Sequence, residues 1–179
     1  MKATGIVRRI DDLGRVVIPK EIRRTMRIRE GDPLEIYTDR DGEVIFKKYS
    51  PIGEMSAFAT QYTETLHKIC GMSVVITDRD NVIACSGVSR KEYTDRKLTS
   101  DFEALMSTRN LYSAKTGDPV FIVDGASANV RYAMPIVTEG DVVGCIACLS
   151  GSSDSLVDEG AEAKLIQTAA SFLGKQFEG

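Results

Sequence analysis

The hydrophobic and polar positions of the chain fall into two stretches with different periods. Residues 1–50 contain short apolar and β-branched runs interrupted by Asp, Gly and Pro, which predicts short strands and turns. Further along, Ile52–Ile69 and Leu165–Phe177 repeat apolar side chains at three- and four-residue steps, as amphipathic helices do. Strand-like runs lie between these two stretches. The pattern therefore predicts two domains, residues 1–50 and residues 51–179.

Four short strands and one helix are predicted in the first domain. The strands are expected over residues 4–10, 15–18, 34–39 and 43–49, and the helix over residues 19–27. The last two strands flank Asp41-Gly42, a pair that supplies the positive φ angles of a tight hairpin turn. A unit this small buries too little surface to be stable alone, and it has no cysteine for a disulfide. We therefore expect an obligate homodimer.

The second domain is predicted to be α+β, with one antiparallel sheet and flanking helices. One helix is expected from Ser50-Pro51 to about Gly71, a short one follows a capping box at Ser100 and Glu103, and the last runs from about Ser155 to Gln176. The first helix carries one apolar stripe of Ile52, Met55, Phe58, Ala59, Tyr62, Leu66 and Ile69. Strands are expected near residues 74–76, 82–84, 120–123, 130–137 and 142–149.

Composition places the chain among ordinary globular proteins. Hydrophobic residues make up 42% and charged residues 27% of the 179 positions. The longest apolar run, Val142 to Leu149, is too short to cross a bilayer, and the N-terminus has no apolar signal segment. Four cysteines are typical of a reduced, intracellular protein. We expect a cytoplasmic protein without membrane association.

Charge is distributed unevenly, although the net charge is only −3. Residues 1–50 hold 12 Lys and Arg against 9 Asp and Glu, whereas residues 51–179 hold 11 against 17. Residues 1–29 hold nine basic side chains, seven of them Arg, against three acidic ones. The fork of donors on Arg suits phosphates and guanine edges. A local polyanion site is therefore predicted, with a solvated charged face as the alternative.

The first fifty residues resemble the AbrB-type transition-state regulators. The resemblance rests on the run MKATGIVRRIDDLGRVVIP at residues 1–19 and continues through residues 21–24 and 34–37. It implies a swapped-hairpin β-barrel of two interleaved chains, whose basic face binds double-stranded, A/T-rich promoter DNA. The side chains implied to contact DNA are Arg8, Arg9, Arg15, Arg23 and Arg24. For each arginine, the alternative is a surface ion pair with Asp11, Asp12 or Glu21.

The second domain resembles a GAF domain, a small-molecule sensing fold, although PAS-like and profilin-like sheets give the same pattern. A pocket for an unknown effector would be lined by Tyr93, Phe102, Tyr112, Phe121 and Tyr132. The alternative is a packed core without a ligand. The two apolar stripes also predict helix pairing between chains and a homotetramer, a dimer of dimers. Burial of both helices on their own sheet is the alternative.

The residues that could carry chemistry predict no catalytic, metal or cofactor site. Cys145 and Cys148 form a C-x-x-C within a strand-like run, where positions i and i+3 face opposite sides of the sheet. Their sulfurs therefore cannot bind one ion, and we expect small buried hydrophobes. The single histidine, His67, lies beside an apolar helical stripe and leaves any Ser nucleophile without its usual base. An enzyme is not expected.

The leading hypothesis is a sequence-preferring, DNA-binding transcriptional regulator whose second domain oligomerises or senses a signal. A sporulation regulator of the AbrB family has a similarly long chain, which implies control of late sporulation genes at the forespore nucleoid. An antitoxin is one alternative, although the short disordered tail of such proteins is missing. The other is a ligand-binding sensor that uses the basic barrel only for dimerisation.

Overall fold

The structure is a computed structural model that describes residues 4–114, 118–151 and 155–177. The chain divides into two compact units, Met1–Tyr49 and Ser50–Gly179. The N-terminal unit contains helix α1 (Lys20–Thr25) and the strands β1 (Leu34–Thr38) and β2 (Val44–Lys48). The C-terminal unit holds the other helices and strands that the structure describes.

The β1–β2 hairpin has the register that its turn requires. Leu34 lies opposite Lys48, and Thr38 lies opposite Val44 in an antiparallel pair. Gly42 adopts a φ of 81° in the turn, a left-handed conformation that glycine reaches without a Cβ penalty. Pro19 precedes α1 at its N-cap, where a missing N–H group costs nothing. The predicted hairpin and helix are therefore present, each within two or three residues of its expected limits.

The two predicted strands at residues 4–10 and 15–18 are absent from the structure of one chain. The turn between them is formed, with the Asp11 N–H donating to the Arg15 carbonyl and the Gly14 N–H donating to the Asp11 carbonyl, both at 3.0 Å. Neither segment pairs with another strand among the described residues. A strand needs a neighbouring ladder, and within one chain β1 and β2 pair only with each other.

Apolar side chains of the N-terminal unit are exposed in the single chain. Apart from Pro19, all buried apolar residues in the described part of the protein lie at Ile52 or beyond. Thirteen of the sixteen exposed large hydrophobic residues belong to the first 49 residues: Ile6, Val7, Ile10, Leu13, Val16, Val17, Met26, Ile36, Tyr37, Val44, Ile45, Phe46 and Tyr49. Each of these contacts with water is unfavourable, at about 25 cal/mol per Å² of apolar surface.

The C-terminal unit is built on a five-stranded antiparallel sheet. Its elements are α2 (Pro51–Glu54), α3 (Ser56–Cys70), β3 (Val74–Thr77), β4 (Val82–Ser86), α4 (Arg90–Tyr93), α5 (Ser100–Ser107), β5 (Tyr112–Ser113), β6 (Val130–Thr138), β7 (Asp141–Leu149) and α6 (Glu159–Gln176). The strand order is β4-β3-β7-β6-β5. Every neighbouring pair is antiparallel, as the sequence predicts for this domain.

Both faces of this sheet are covered. On one face, Ile52, Leu66 and Leu173 from α2, α3 and α6 belong to one buried cluster. On the other face, side chains from α4, α5 and the irregular segment 118–129 form a second cluster, with Phe102 fully buried. A sheet covered on both faces explains why β7 is apolar at successive positions rather than at alternate ones.

The first long helix differs from its prediction in two ways. It begins with the predicted cap, in which Ser50 accepts the Gly53 N–H at 3.0 Å, but it is broken into α2 and α3 at Met55, whose φ of −99° and ψ of 29° are not helical. Its buried face also drifts around the helix axis. Ile69, predicted to be on the apolar stripe, is 66% exposed, and Cys70 is buried in its place. The helix ends at Gly71 with a φ of 68°, as predicted.

Other limits are also corrected by hydrogen bonds. The N-cap of α5 is Thr99, whose Oγ1 accepts the Phe102 N–H at 3.2 Å, and not Ser100. The last helix begins at Glu159 rather than near Ser155, because Asp158 caps it by accepting the Ala161 N–H at 2.8 Å. In both helices, the start is fixed by a side-chain oxygen that accepts a backbone N–H of the first turn, two or three residues later in the chain.

Residues 120–123 do not form the predicted strand. Their backbone makes isolated hydrogen bonds to two different segments. The Thr99 N–H donates to the Ile122 carbonyl at 2.9 Å, and the Val130 N–H donates to the Val120 carbonyl at 2.8 Å. A ladder on one side never develops, so the segment remains irregular and fills the second core. The short strand β5 takes the edge position and was not predicted. No helix among the described residues is long and apolar enough to span a bilayer.

Helix α6 lies so close to β6 that a glycine is required between them. A Cβ at Gly174 would lie 2.3 Å from the carbonyl oxygen of Val137, well inside contact distance. Backbone cannot move away as a flexible side chain could. The packing of α6 on the sheet therefore requires glycine at position 174, because glycine has no Cβ.

We predict that Gly174→Ala destabilises the protein by about 1–3 kcal/mol, the usual cost of overpacking. Alanine favours helix formation by about 1 kcal/mol over glycine, so helix propensity alone predicts the opposite sign. Gly160→Ala is the matched control in the same helix, because a Cβ there meets only the Asp158 carboxylate oxygen at 3.2 Å. Urea unfolding measures both variants, and a Gly174→Ala protein as stable as the wild type contradicts the close approach.

Candidate nucleic-acid interface

Four of the five predicted arginines extend into solvent without a side-chain ion pair. Arg9, Arg23 and Arg24 are exposed and make no side-chain hydrogen bond or ion pair within the described part of the chain. Arg8 makes only a 3.5 Å contact from its guanidinium to the adjacent Val7 carbonyl. Arg23 and Arg24 occupy the last turn of α1. These guanidinium groups are therefore free to bind an anion.

Arg15 differs, because it pairs with a carboxylate of its own chain. Its Nε donates to Oδ2 of Asp11 at 2.8 Å, the alternative that the sequence leaves open for each arginine. The Arg15 side chain nevertheless remains 69% exposed. Exposed ion pairs contribute little stability, about 0–1 kcal/mol. The pair therefore sets the direction of Arg15 more than it stabilises the fold.

Asp11 organises the loop that carries Arg15. Its Oδ1 accepts the backbone N–H groups of Leu13 at 3.0 Å and Arg15 at 2.8 Å. Gly14 takes a φ of 75°, which lets the loop turn back. The hydrogen bonds from the Arg15 backbone and then from its side chain lower the pKa of the Asp11 carboxyl. The run Asp11-Asp12-Leu13-Gly14 is a turn signal in the sequence, but the contact of Asp11 with the Arg15 side chain is seen only in the structure.

A second carboxylate anchors the residues after α1 to the hairpin. Asp32, whose side chain is 2% exposed, accepts the Arg29 N–H at 2.8 Å and pairs with Lys48 at 3.4 Å. Lys48 also donates to the Arg27 carbonyl at 2.8 Å. Sequence reasoning missed this connection, because Gly31-Asp32-Pro33 signals only a chain break. The contacts fix the end of the α1 segment relative to β2.

The aromatic residues predicted to line a pocket do not all share one side of the sheet. Tyr93 and Phe102 belong to the buried cluster beneath α5, and Tyr112 packs against it. Tyr132 belongs to the opposite cluster beneath α3 and α6. Phe121 is half-buried, and its carbonyl accepts a hydrogen bond from a threonine hydroxyl. The structure therefore brings Tyr93, Phe102 and Tyr112 together and separates Tyr132 from them.

The two cysteines of the C-x-x-C lie on opposite faces of β7, as the strand geometry predicts. Cys145 belongs to the cluster beneath α5, and Cys148 belongs to the cluster beneath α3 and α6. Burial raises the pKa of both thiols, that of Cys148 to about 12. Since the thiolate is the form that reacts and binds metals, neither side chain is suited to redox or metal chemistry.

Two family models match the chain, one in each unit. The model described as "Stage V sporulation protein T C-terminal, transcription factor" matches residues 54–178. The model described as "Antidote-toxin recognition MazE, bacterial antitoxin" matches residues 7–53. The boundary between these matches lies close to the division between the two compact units.

Individual relatives agree with these matches. Stage V sporulation protein T of Bacillus subtilis is 51% identical over 180 residues, covering 99% of each chain. The transition state regulatory protein AbrB of the same organism is 65% identical over 51 residues, which are 28% of this chain and 52% of AbrB. A solved fragment of a methyl-accepting chemotaxis protein covers 69% of this chain and 88% of its own, with 15% identity and a TM-score of 0.56. That last likeness shows the fold alone.

An AbrB-like N-terminal domain joined to a mixed α and β domain defines a transcriptional regulator and not an enzyme. The predicted resemblance to AbrB-type regulators is confirmed by the 65% identity in this region. The chain belongs to the stage V sporulation protein T family.

We predict that the Asp11 carboxyl titrates below the ordinary aspartate value of 3.8. Because the folded-state pKa is lowered, its contribution to stability is present above the ordinary value and is lost as the pH falls through the folded-state pKa. In Arg15→Ala the pKa should rise only part of the way, since the backbone N–H of residue 15 still donates. Carboxyl-detected NMR titration measures both proteins. An unchanged value in the variant contradicts the ion pair.

Proposed function

We propose that the protein regulates transcription by binding A/T-rich promoter DNA through a homodimer of its N-terminal units. The observation that carries the proposal is a set of exposed guanidinium groups, on Arg8, Arg9, Arg23 and Arg24, that are not neutralised by carboxylates of the described chain. The unit that holds them is basic, whereas the rest of the chain is acidic. Such a local positive field attracts the phosphate backbone of a duplex.

The dimer is supported by the exposed apolar surface of one chain. Residues 4–10 and 15–18 are rich in β-branched side chains and have no ladder within the described chain. A second copy supplies those ladders and covers the thirteen exposed hydrophobic residues. Interleaving the segments of two chains in this way gives the swapped-hairpin β-barrel implied by the resemblance to AbrB-type regulators. Two copies of each arginine then share one surface.

The proposed DNA contacts are mainly to phosphates. Arginine forks on flexible, exposed side chains neutralise phosphates and fix the position of the protein, whereas base edges require a rigid element in a groove. The helix α1 has only six residues. A loose consensus that follows the shape of A/T-rich DNA is therefore the expected mode of recognition.

Pairing of α3 and α6 between chains is our proposal for the tetramer. Phe58, Tyr62 and Phe172 form an aromatic cluster between these helices, with ring centroids 5.9–6.2 Å apart. Phe172 is 42% exposed, so the cluster reaches the surface. At the other end of α3, Ile69 and Leu156 are both exposed. Apolar groups at both ends of one helical face support the docking of a second copy.

A sensing role for the C-terminal domain rests on its GAF-like pattern. An effector pocket would lie on the α5 side of the sheet, where Tyr93, Phe102 and Tyr112 gather. Tyr132 lies on the other side and would not line it. The burial of Tyr93 and Phe102 equally suits a packed core without a ligand. Control of late sporulation genes in the forespore is supported by the 51% identity to stage V sporulation protein T.

An antitoxin is the second candidate, because the MazE antitoxin model matches residues 7–53. Antitoxins of this kind use a disordered tail to wrap the toxin. Here the corresponding part of the chain folds into a compact unit with its own buried core. The regulator is therefore better supported than the antitoxin. The remaining alternative is a sensor that uses the barrel only for dimerisation, and a measurement of DNA binding distinguishes it from the regulator.

We predict that Arg23→Ala weakens binding of the full chain to an A/T-rich duplex and flattens its salt dependence. The log–log slope should lose about 0.9 for each phosphate contact removed, while the dimer persists. Arg40→Ala is the matched control, since Arg40 is equally exposed but lies in the hairpin turn. Fluorescence anisotropy at several salt concentrations measures the slopes. Equal losses in both variants would indicate a general charge effect, and no binding by the wild type rejects the regulator.

We predict that Phe172→Glu converts a tetramer into a dimer, because a carboxylate at this position would be desolvated in the helix interface. Sedimentation velocity of the full chain measures the change. Gln167→Glu adds the same charge to an exposed position elsewhere on α6 and should leave the tetramer intact. A wild-type protein that sediments as a dimer, or a tetrameric Phe172→Glu variant, contradicts this interface.

A further inference from the structure

We propose that Asp11 is a positioning residue for DNA binding, which holds the Arg15 guanidinium by Nε so that its outer edge meets a phosphate. The inference rests on the proposed function. It assigns a role to a carboxylate that, judged by charge alone, opposes binding of a polyanion.

The two oxygens of Asp11 have separate partners. Oδ1 accepts only backbone N–H groups, those of Leu13 and Arg15, and so shapes the loop. Oδ2 accepts the Arg15 Nε–H at 2.8 Å and so orients the side chain. Loop shape and side-chain direction can therefore be separated by a substitution that changes one oxygen and keeps the other.

The contact through Nε leaves most of the guanidinium available. An arginine carries five N–H donors, and Nε supplies one of them. The four donors on Nη1 and Nη2 of Arg15 make no hydrogen bond to the described residues. These two nitrogens form the edge that binds phosphate with two parallel hydrogen bonds. Arg15 can therefore be held by Asp11 and bind DNA at the same time.

Holding the side chain before binding reduces the conformational entropy that binding must remove. A free arginine has many rotamers, whereas Arg15 is tied to a loop that is itself closed by the Asp11 and Gly14 turn. This gain opposes the repulsion between Asp11 and the DNA. If the entropy gain is larger, removing the Asp11 charge weakens DNA binding. If the repulsion is larger, removing the charge strengthens DNA binding.

Asp11→Asn is the decisive variant. The amide oxygen can still accept the backbone N–H groups of Leu13 and Arg15, whereas the amide nitrogen cannot accept from Nε. Asp12→Asn is the matched control, because Asp12 is an exposed neighbour that makes no side-chain hydrogen bond or ion pair with the described residues. Both variants remove the same charge from the same loop.

We expect Asp11→Asn to weaken binding to an A/T-rich duplex by about threefold to tenfold, the range set by one hydrogen bond. Asp12→Asn should bind as well as the wild type or more tightly. In an Arg15→Ala background, Asp11→Asn should no longer weaken binding, which a merely structural role of Asp11 would not explain. Arg15→Lys should also weaken binding although it keeps the charge. Anisotropy titrations of the full chain, with sedimentation and thermal unfolding as checks, measure these effects.

Two outcomes overturn the proposal. If Asp11→Asn binds as tightly as the wild type or more tightly, Asp11 only repels DNA. If it weakens binding equally in the Arg15→Ala background, Asp11 does not act through Arg15. Should Asp11→Asn fail to fold, Arg15→Lys decides, and wild-type affinity in that variant rejects an oriented guanidinium. A wild-type chain that binds no duplex overturns the proposed function itself, which separates the two failures.

Discussion

The constraint on which the rest of the structure depends is the apolar surface of the first 49 residues, which one chain does not bury. Val7, Ile10 and Val17 are each at least 69% exposed, and the hairpin that follows them has apolar side chains on both faces. A two-stranded hairpin alone is marginal in water, and the first 49 residues contain no cysteine that could stabilise this one by a disulfide. The proposed dimer follows from this exposed apolar surface, which a second copy would cover.

The C-terminal unit, in contrast, buries its apolar surface within one chain. Its sheet is covered on both faces, and the close approach at Gly174 brings α6 against β6. The side chain of Glu162, which is 1% exposed, pairs with Arg131 at 3.1 Å and accepts from Ser155 at 2.6 Å. A buried carboxylate is costly unless it is paired, and the ion pair with Arg131 ties the first turn of α6 to β6. The C-terminal unit therefore has a buried core of its own, which the described residues of the N-terminal unit lack.

Local signals in the sequence predicted the parts of the fold that local physics determines. The turn at Gly42 and the helix end at Gly71 follow from positive φ angles, and both are confirmed. Residues 4–10 form no strand in one chain, because a strand also requires a neighbouring ladder, which local signals do not specify. The face of Tyr132 depends on register: Tyr112 pairs with Ala133, so Tyr132 points to the opposite side of the sheet. A shift of one residue in the pairing of β5 with β6 would decide whether Tyr112 and Tyr132 lie on the same side of the sheet.

The N-terminal fold alone cannot decide between a regulator and an antitoxin, because one fold can serve unrelated functions. Residues 7–53 match an antitoxin model, and the same region is 65% identical to AbrB. What distinguishes the two functions is the chemistry of the surface and the chain that follows. Here unpaired guanidinium groups lie on the first unit, and an acidic, compact unit follows. Arg15 adds to this surface, since its pairing with Asp11 through Nε leaves Nη1 and Nη2 without a hydrogen bond to the described residues.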